Sequence, residues 1–543
     1  MAVLVKRGEP RRTIGDAPAV SDSEPAAPEP RGLLCELVIP TPNATWTKLQ
    51  RGVGGAAGML PTTLPGVLAA LADLDAELVG ELDGTSPMFG VVAGDVQAPS
   101  AVVAVKLRDV RRIRSVLAEG ATSRFALRSE GALTLLVPRG GAHGTELAIT
   151  ANGYVVVARS VSELAELAPY VTRTLPARPL PVSAAVLDIP GIALATALVP
   201  LATAAWSEWK ARLLREDARM RAERGRAADF GDPAAIVALA DGLVARKLAV
   251  LEGIDRIHVV ADVADDAVSV TATLPTRAGT AARTWADTMR VGDLAPVLEL
   301  PRTAVLALVT RDAEPEREAQ GRSVEEGLRT ALRLEDEAKL HEATAAITKA
   351  RDEVASLALV VDEPTGALVR APVRDEEAAQ KAVRSLVGLL QARPFKELLH
   401  IRDVTTTSED VPGLGKMSTA TILRAPSPSR RDAGVPAPAL GIAWVVEGGS
   451  LLLGTGAEPG VAVRTANAQK MGKEPALGAF ARAVGNDVST TLVLQPLRLD
   501  PKRAGLPIAP LAIGLGKKGS EVFVRLDIAD ALFREAVRSQ MGF

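Results

Sequence analysis

The chain runs to 543 residues, 47% hydrophobic and 24% charged, with 63 Lys and Arg against 65 Asp and Glu for a net charge of −2. That length and apolar content suffice for cores in about two to four domains and exclude disorder throughout. A near-neutral balance with only 8 Phe, 5 Trp and 2 Tyr excludes a nucleic-acid binder, which needs a basic face and rings for stacking. Cys35 stands alone, so no intrachain disulfide can form, and His143, His258, His341 and His400 are too scattered to build a Cys/His cluster. Neither a cofactor nor a metal site is expected.

Residues 1–31 carry Pro10, Pro18, Pro25, Pro28 and Pro30 and no periodic apolar face, which predicts a disordered tail. The only apolar run after Met1, Ala2 to Val5, is far shorter than a signal-peptide core of roughly 7–15 residues. Cys35 lacks the small neighbour and upstream apolar segment of a lipid-anchor site. As it stands the sequence reads as cytoplasmic; a signal segment ahead of the present start would make it periplasmic or envelope-associated.

From residue 32 onward the chain repeats itself. The strand AVVAVKLRD (101–109) leads into a helix bearing Val110, Ile113, Val116 and Leu117, and ALVRAPVRD (367–375) leads into one bearing Ala379, Val383, Leu386 and Leu390. Asp109 and Asp375 stand 266 positions apart at helix starts, where a carboxylate accepts free N–H groups of the first turn. ELAITANGYVVVARS (146–160) reads as a hairpin turning at Asn152-Gly153, and IAWVVEGGSLLLGTG (442–456) has the same shape around Gly448-Gly449, 296 positions on. PVSAAVLDIP (181–190) matches DVSTTLVLQP (487–496) at a spacing of 306. The alternating hairpin of RIHVVADV and AVSVTATL matches LAIGLGKKGSEVFVRL. GLLCELVI (32–39) matches TAVLALVT (303–310), and FGVVAGDVQAP matches LALVVDEPTG. These matches predict a tandem duplication: one α+β repeat over 32–290, a second over 291–543, and a flexible loop at about 404–439 that accounts for the extra length of the second copy.

The first copy alone carries residues 191–252. Leu194, Leu198, Leu201, Ala205, Trp209, Leu213 and Met220 fall on one stripe of a long helix kinked near Pro200. Asp232-Pro233 starts a second helix with Ile236, Ala240, Leu243, Leu248 and Leu251 inward. A helical hairpin against the sheet is expected. A membrane span over 189–206 is disfavoured, being short of the roughly 20 residues required, rich in Ala and Thr, and interrupted by proline.

No motif carries chemistry convincingly. Gly514-Leu515-Gly516-Lys517-Lys518-Gly519 spells a dinucleotide fingerprint, but a strand follows it where a helix N-terminus would have to meet the pyrophosphate. Gly413-Leu414-Gly415-Lys416-Met417 lacks the first glycine and the hydroxyl of a phosphate-binding loop. Ser207 and Lys210 have nucleophile–lysine spacing without companion motifs, and His341-Glu342 lacks the second histidine of a zinc helix. His143 sits in a glycine-rich loop with no partner fixed beside it; Asp262, Asp265 and Asp266 cluster at a hairpin tip and read as turn residues in preference to a weak cation site, since the loop of alternating oxygen ligands is missing. The basic run from Arg212 to Arg226 is interleaved with carboxylates and reads as a salt-bridge-laced exposed helix face, with docking to acidic lipid or a partner as the minority reading. No catalytic, cofactor-binding or metal-binding residue is assigned.

The order of strand, Arg-Asp helix, Asn-Gly hairpin, PYVTRTLP (169–176), DFGDP (229–233) and closing hairpin resembles a group of uncharacterised Ala/Arg-rich bacterial proteins, themselves similar to envelope proteins with a duplicated domain of unknown function. The resemblance spans nearly the whole chain from residue 32 and implies an extracytoplasmic setting and no particular activity. The expected fold is α+β, two tandem domains each a mostly antiparallel sheet with helices on one face, meeting across a cleft. The expected function is a non-catalytic structural or binding protein of the cell envelope, its partner an unknown protein or apolar ligand. A hydrolase-like enzyme using Ser207, Lys210 or His143, and a carrier of an apolar ligand in the inter-domain cleft, are the alternatives.

Overall fold

The computed structural model describes residues 25–535 except 54–60, 72–75, 114–124, 140–144, 225–232, 265–266, 333–336, 361–365, 394, 397–400, 425–439, 467–469, 474, 500–508 and 533. The first half supplies strands β1 (Leu33–Ile39), β2 (Met88–Ala93), β3 (Ser100–Lys106), β4 (Phe125–Glu130), β5 (Leu133–Pro138), β6 (Glu146–Thr150), β7 (Tyr154–Ala158), β8 (Ala185–Pro190), β9 (Arg256–Val263) and β10 (Ala267–Pro275). The second supplies β11 (Ala304–Arg311), β12 (Val354–Val360), β13 (Gly366–Pro372), β14 (Ile401–Val411), β15 (Gly415–Arg424), β16 (Leu440–Glu447), β17 (Ser450–Gly456), β18 (Val488–Leu494), β19 (Leu511–Lys518) and β20 (Glu521–Ala529). The helices used below are α1 (Pro42–Val53), α2 (Leu64–Leu71), α3 (Ala76–Gly80), α4 (Val161–Pro169), α5 (Val199–Arg224), α6 (Pro233–Glu252), α7 (Ala281–Thr288), α8 (Glu314–Leu332), α9 (Glu337–Ala350), α10 (Glu376–Leu389), α11 (Pro459–Thr465) and α12 (Pro475–Val484).

All twenty strands join one sheet through antiparallel pairs, in the spatial order β4-β5-β6-β7-β3-β2-β1-β8-β9-β10-β20-β19-β18-β11-β12-β13-β17-β16-β15-β14. Adding ten to each strand number in the first half gives the mirrored order of the second, so the fold is α+β and duplicated. Register repeats as well. Val103 pairs with Val157 and Val369 with Leu453, which are the sequence spacings of 266 and 296. The β1–β2 ladder slips between Leu33 and Cys35, and the β11–β12 ladder between Ala304 and Leu306, 271 positions on; an irregularity kept in both halves is a feature of the fold. One sequence match is a residue off. Leu37 pairs with Leu187 and Leu308 with Leu492, so equivalents in β8 and β18 lie 305 apart, and the spacing of 306 would turn each side chain to the opposite face.

The halves meet edge to edge through β10 and β20, Ala267 to Ala529 through Pro275 to Glu521, so a continuous ladder stands where a cleft was expected. Thr271 faces Arg525 there. These positions are themselves equivalents 254 apart, as Ala261 with Val270 and Leu515 with Val524 show, so a local twofold axis passes between them.

Helical cover extends to both faces of the outer strands. In the second half α10 covers Val404, Ala420, Ile422, Trp444 and Val446, while α11 and α12 place Val463, Phe480 and Val484 against Met417, Ala443, Val445 and Leu452 on the other side. In the first half α4 closes the face bearing Phe89, Val91 and Val156, and α2 and α3 the face bearing Met88, Val105 and Ile149. Alternating side chains along each strand make both layers possible, because successive residues point to opposite faces. Asp375 caps α10 by accepting from Ala378 N at 2.9 Å, and Asp109 accepts from Arg111 N at 2.8 Å, the paired role expected of them.

Three expectations need correction. Residues 404–424 form the β14–β15 hairpin where a flexible loop was expected, and 425–439 lie outside the described residues. Of the tail, 1–24 lie outside the described residues, but 25–31 are in place, with Ala27 packed on the core and its carbonyl accepting from Thr174 Oγ1 at 2.7 Å. The inserted hairpin is present, yet the inward stripe of α5 differs from the one read. A π-helical turn at Leu194–Leu198, where Val199 N–H reaches back to Leu194 O, adds a residue ahead of Pro200, whose ring has no N–H to return. The phase advances, so Val199, Trp206, Lys210, Leu213 and Asp217 turn inward and Leu201, Trp209 and Met220 stay exposed. Leu243 of α6, read as inward, is also exposed, because α6 packs against α5, α7 and α8 and leaves that side open.

Candidate functional site

The hairpins that build the sheet centre place one side chain in two on each face, and the two faces differ in character. On one, cross-strand partners line up as a row from Val270 through Leu526, Ile513, Leu492, Leu308 and Leu357. A neighbouring row runs from Val268 through Ile528, Leu511, Leu494, Leu306 and Leu359. Every one of these is apolar, none reaches full burial, and Leu359 is 39% exposed. None belongs to a buried cluster among the described residues.

Cover stops at the rims. At one end Leu194 and Leu198, the last turn of α6 and α7 pack on Ile189, Ile257, Leu274 and Val522. At the other, α1 reaches β9, with Thr45 Oγ1 donating to Ala184 O at 3.3 Å. Along the second half the row first disappears under α10 at Trp444, which is 3% exposed. A contiguous set of partly exposed apolar side chains is the kind of surface patch that is commonly functional.

The opposite face carries a polar row. Glu36, Asp188 and His258 are successive cross-strand partners on β1, β8 and β9. Tyr170 OH donates to Glu36 Oε1 at 2.5 Å, Arg178 Nη1 to Glu36 Oε2 at 2.6 Å, and Arg178 Nη2 to the Tyr170 oxygen at 2.7 Å. Tyr170 opens a π-helical turn (Tyr170–Thr174) between Pro169 and Pro176, which swings its ring under the sheet. Burial, and then the hydrogen bond to Glu36, push the Tyr170 phenol up to about 12. Burial works against the Arg178 charge, but the Glu36 carboxylate outweighs it and raises that guanidinium. His258 Nδ1 lies 2.9 Å from Asp188 Oδ1, and Arg256 approaches the same oxygen at 3.9 Å. A His–Asp pair can hold or move a proton. Among the described residues no hydroxyl or thiol hydrogen-bonds the His258 ring, and the row ties β1, β8 and β9 through its ion pairs.

Between the β4–β5 and β6–β7 turns and the end of α4 lies a pocket of about 700 Å³ bordered by Glu130, Thr150, Asn152, Thr172 and Arg173. Its polar groups already have partners. Thr150 Oγ1 donates to Asn152 Oδ1 at 2.6 Å, and Asn152 Nδ2 to Thr172 O at 2.5 Å.

The residues weighed on sequence are not brought together. Ser207 Oγ donates to Thr203 O at 2.9 Å, while Lys210 is held at 2.7 Å by Asp241, so neither activates the other. The bonds from Lys210 and then Trp206 lower the Asp241 carboxyl. His341 pairs with Glu325 at 3.1 Å on the surface of α9, and Asp262 accepts from Ala184 N at 3.4 Å. His143, His400, Asp265 and Asp266 lie outside the described residues. Among the described residues no group of His, Cys, Asp or Glu is arranged to hold a metal.

The two glycine-rich motifs have structural reasons. A Cβ at Gly514 would lie 3.0 Å from Phe480, and one at Gly516 would lie 1.9 Å from Asp487 O. Gly519 takes φ +60 in the β19–β20 turn, and Gly413 and Gly415 take φ +76 and +71 between β14 and β15. Sequence reading missed the Glu36–Tyr170–Arg178 cluster and the Asp188–His258 pair. Alternation tells which residues share a face; it says nothing of whether that face has a cover.

No family model and no curated protein matches this sequence. Among solved structures, crystal form IV of TP0453 aligns with 10% identity over 46% of this chain and 80% of that one, at a TM-score of 0.22. Crystal form III aligns with 9% identity over 47% and 82%, also at 0.22. A TM-score at that level carries no argument about the role of either face.

Proposed function

We propose that the chain is a non-catalytic binding protein that holds an extended apolar ligand, such as an acyl chain, along the open face of the central sheet. An envelope location accords with the resemblance of its motifs to duplicated envelope proteins. The observation that carries the reading is the pair of apolar rows through Leu526 and Ile528, continuous across the local twofold axis and excluded from every buried cluster among the described residues. Water against such a surface is displaced favourably by a hydrocarbon, at about 25 cal/mol per Å² covered. Placing the surface on strands of both halves gives the duplication a use, since neither half alone presents the full row.

Titration of the purified chain with a fluorescent polyene fatty acid is the test. Saturable uptake is expected, and Leu526→Asp should abolish it while Ser207→Ala leaves it unchanged. A wild-type chain that takes up no probe, or a Leu526→Asp variant that takes it up as well as its parent, removes the reading.

A further inference from the structure

We propose that the outward side of the inserted helical hairpin rests on a lipid bilayer, with the first half of α5 among the acyl chains and the arginines of its second half at the headgroups. The stretch Gly191–Met220 is long and apolar enough to cross a membrane, yet only 22% of its most apolar window is buried, where a core helix would be mostly buried. Ile192 is 64% exposed, Leu201 39% and Trp209 41%, and Ala202, Ala204 and Ala205 are exposed between them.

The hydroxyl side chains in this stretch are satisfied within the helix. Thr196 Oγ1 donates to Ile192 O at 2.7 Å, Thr203 Oγ1 to Val199 O at 2.8 Å, and Ser207 Oγ to Thr203 O at 2.9 Å, which lets the segment leave water without stranding a hydroxyl. Trp206 and Trp209 stack at 4.9 Å where the apolar letters end. Beyond them Arg212, Arg215 and Arg219 begin. Apolar residues, then indoles, then cations is the order that a bilayer boundary selects. From 207 to 224, leaving out the Asp241-bound Lys210 and the buried Asp217, five cations stand against three carboxylates, Glu208, Glu216 and Glu223, which favours anionic headgroups.

The helix rests on the surface and does not span. Ala193 and Leu194 are buried in the sheet at its start, and Trp206 Nε1 and Lys210 are bound to Asp241 of α6 at 2.6 and 2.7 Å, so only one side is free. This proposal does not depend on the ligand assigned to the sheet face, which lies on other residues and is probed by a different variant.

The full chain would be sedimented with phosphatidylcholine vesicles with and without phosphatidylglycerol. Association is expected, stronger with the anionic lipid, and reduced about tenfold by Leu201→Asp and by Trp209→Asp, each replacing an apolar anchor with a charge. Because Cys35 is the sole cysteine, an environment-sensitive dye placed at Leu201→Cys in a Cys35→Ser chain reports immersion directly. Its emission should shift to the blue with vesicles, while the same dye at Leu499→Cys, 65% exposed in the second half, should not move. Absence of wild-type association, undiminished association of both variants, or equal response of the two dyes overturns the proposal.

Discussion

The strands under α10 and those at the sheet centre are written in the same alphabet and end differently. Ala420, Ile422, Trp444 and Val446 share one face of their strands and are sealed by α10, whereas Val270, Leu526, Ile513 and Leu492 share a face just as regularly and stay partly open. The apolar letter is therefore only a request for cover. In the outer strands the helix that follows β13 answers it; at the centre β10 and β20 pair with each other, and among the described residues helices reach only the rims. A surface of that kind is a cost to a free chain and useful to one that carries something apolar.

Substitutions in the two regions should separate them. The largest loss is expected in the covered region, at Phe480→Ala. The ring is fully buried against Gly514, and its removal leaves a cavity costing roughly 3–5 kcal/mol in chemical denaturation. A cost under about 1 kcal/mol there would mean that α12 is not the seal described.

Tyr170→Phe comes next, at roughly 1–3 kcal/mol, because it strands Glu36 and Arg178 of their shared hydroxyl. It also carries a pH signature. The folded state holds the Tyr170 phenol at about 12 against an ordinary value of 10.0, so it favours the protonated form. That stability is complete below pH 10 and drains away as pH rises from 10 through 12, and the phenylalanine variant should lose this alkaline slope. An unchanged slope would place the Tyr170 hydroxyl in water.

Asp375→Ala should have a smaller effect on thermal stability. The Ala378 amide, and then Lys349, hold the Asp375 carboxyl below its ordinary 3.8, so its stabilisation is present above pH 3.8 and lost as pH falls through the folded value. Wild type and variant should converge in melting temperature in acid.

Much of the fold was legible because duplication prints the same local signals twice. Asp375, the Asn152-Gly153 and Gly448-Gly449 turns, and the alternation of β9, β10, β19 and β20 each state a local rule, and each element stands where its rule puts it; most of the helix expected after Asp109 lies outside the described residues. What was hidden depends on tertiary placement or on a one-residue change of phase. The 306 spacing misled because Asp188 and Leu494 align by letter while Leu187 and Leu492 align by pairing. The α5 stripe misled because a π-helical turn before Pro200 cannot be read from a 3.6-residue period. Glu36 and Tyr170 lie 134 positions apart, and nothing local announces their contact.

The smallest stability change is expected at the centre of the molecule, and that is what makes it informative. Leu526 lies beside the local twofold axis, partnered by Val270 and Ile513, in the middle of the sheet where a leucine would ordinarily be indispensable. A sealed leucine there would lose roughly 2–5 kcal/mol on truncation to alanine. Because Leu526 is only partly buried and belongs to no sealed cluster among the described residues, truncation leaves no enclosed cavity, so the loss should stay below about 1 kcal/mol in the ligand-free chain. Saturating the chain with an acyl ligand should widen the gap between wild type and Leu526→Ala, since a ligand that binds only the folded state raises stability in proportion to its affinity, and the variant binds it less well. A large loss without ligand, or a gap that ligand leaves unaltered, would mean that the two regions are sealed alike.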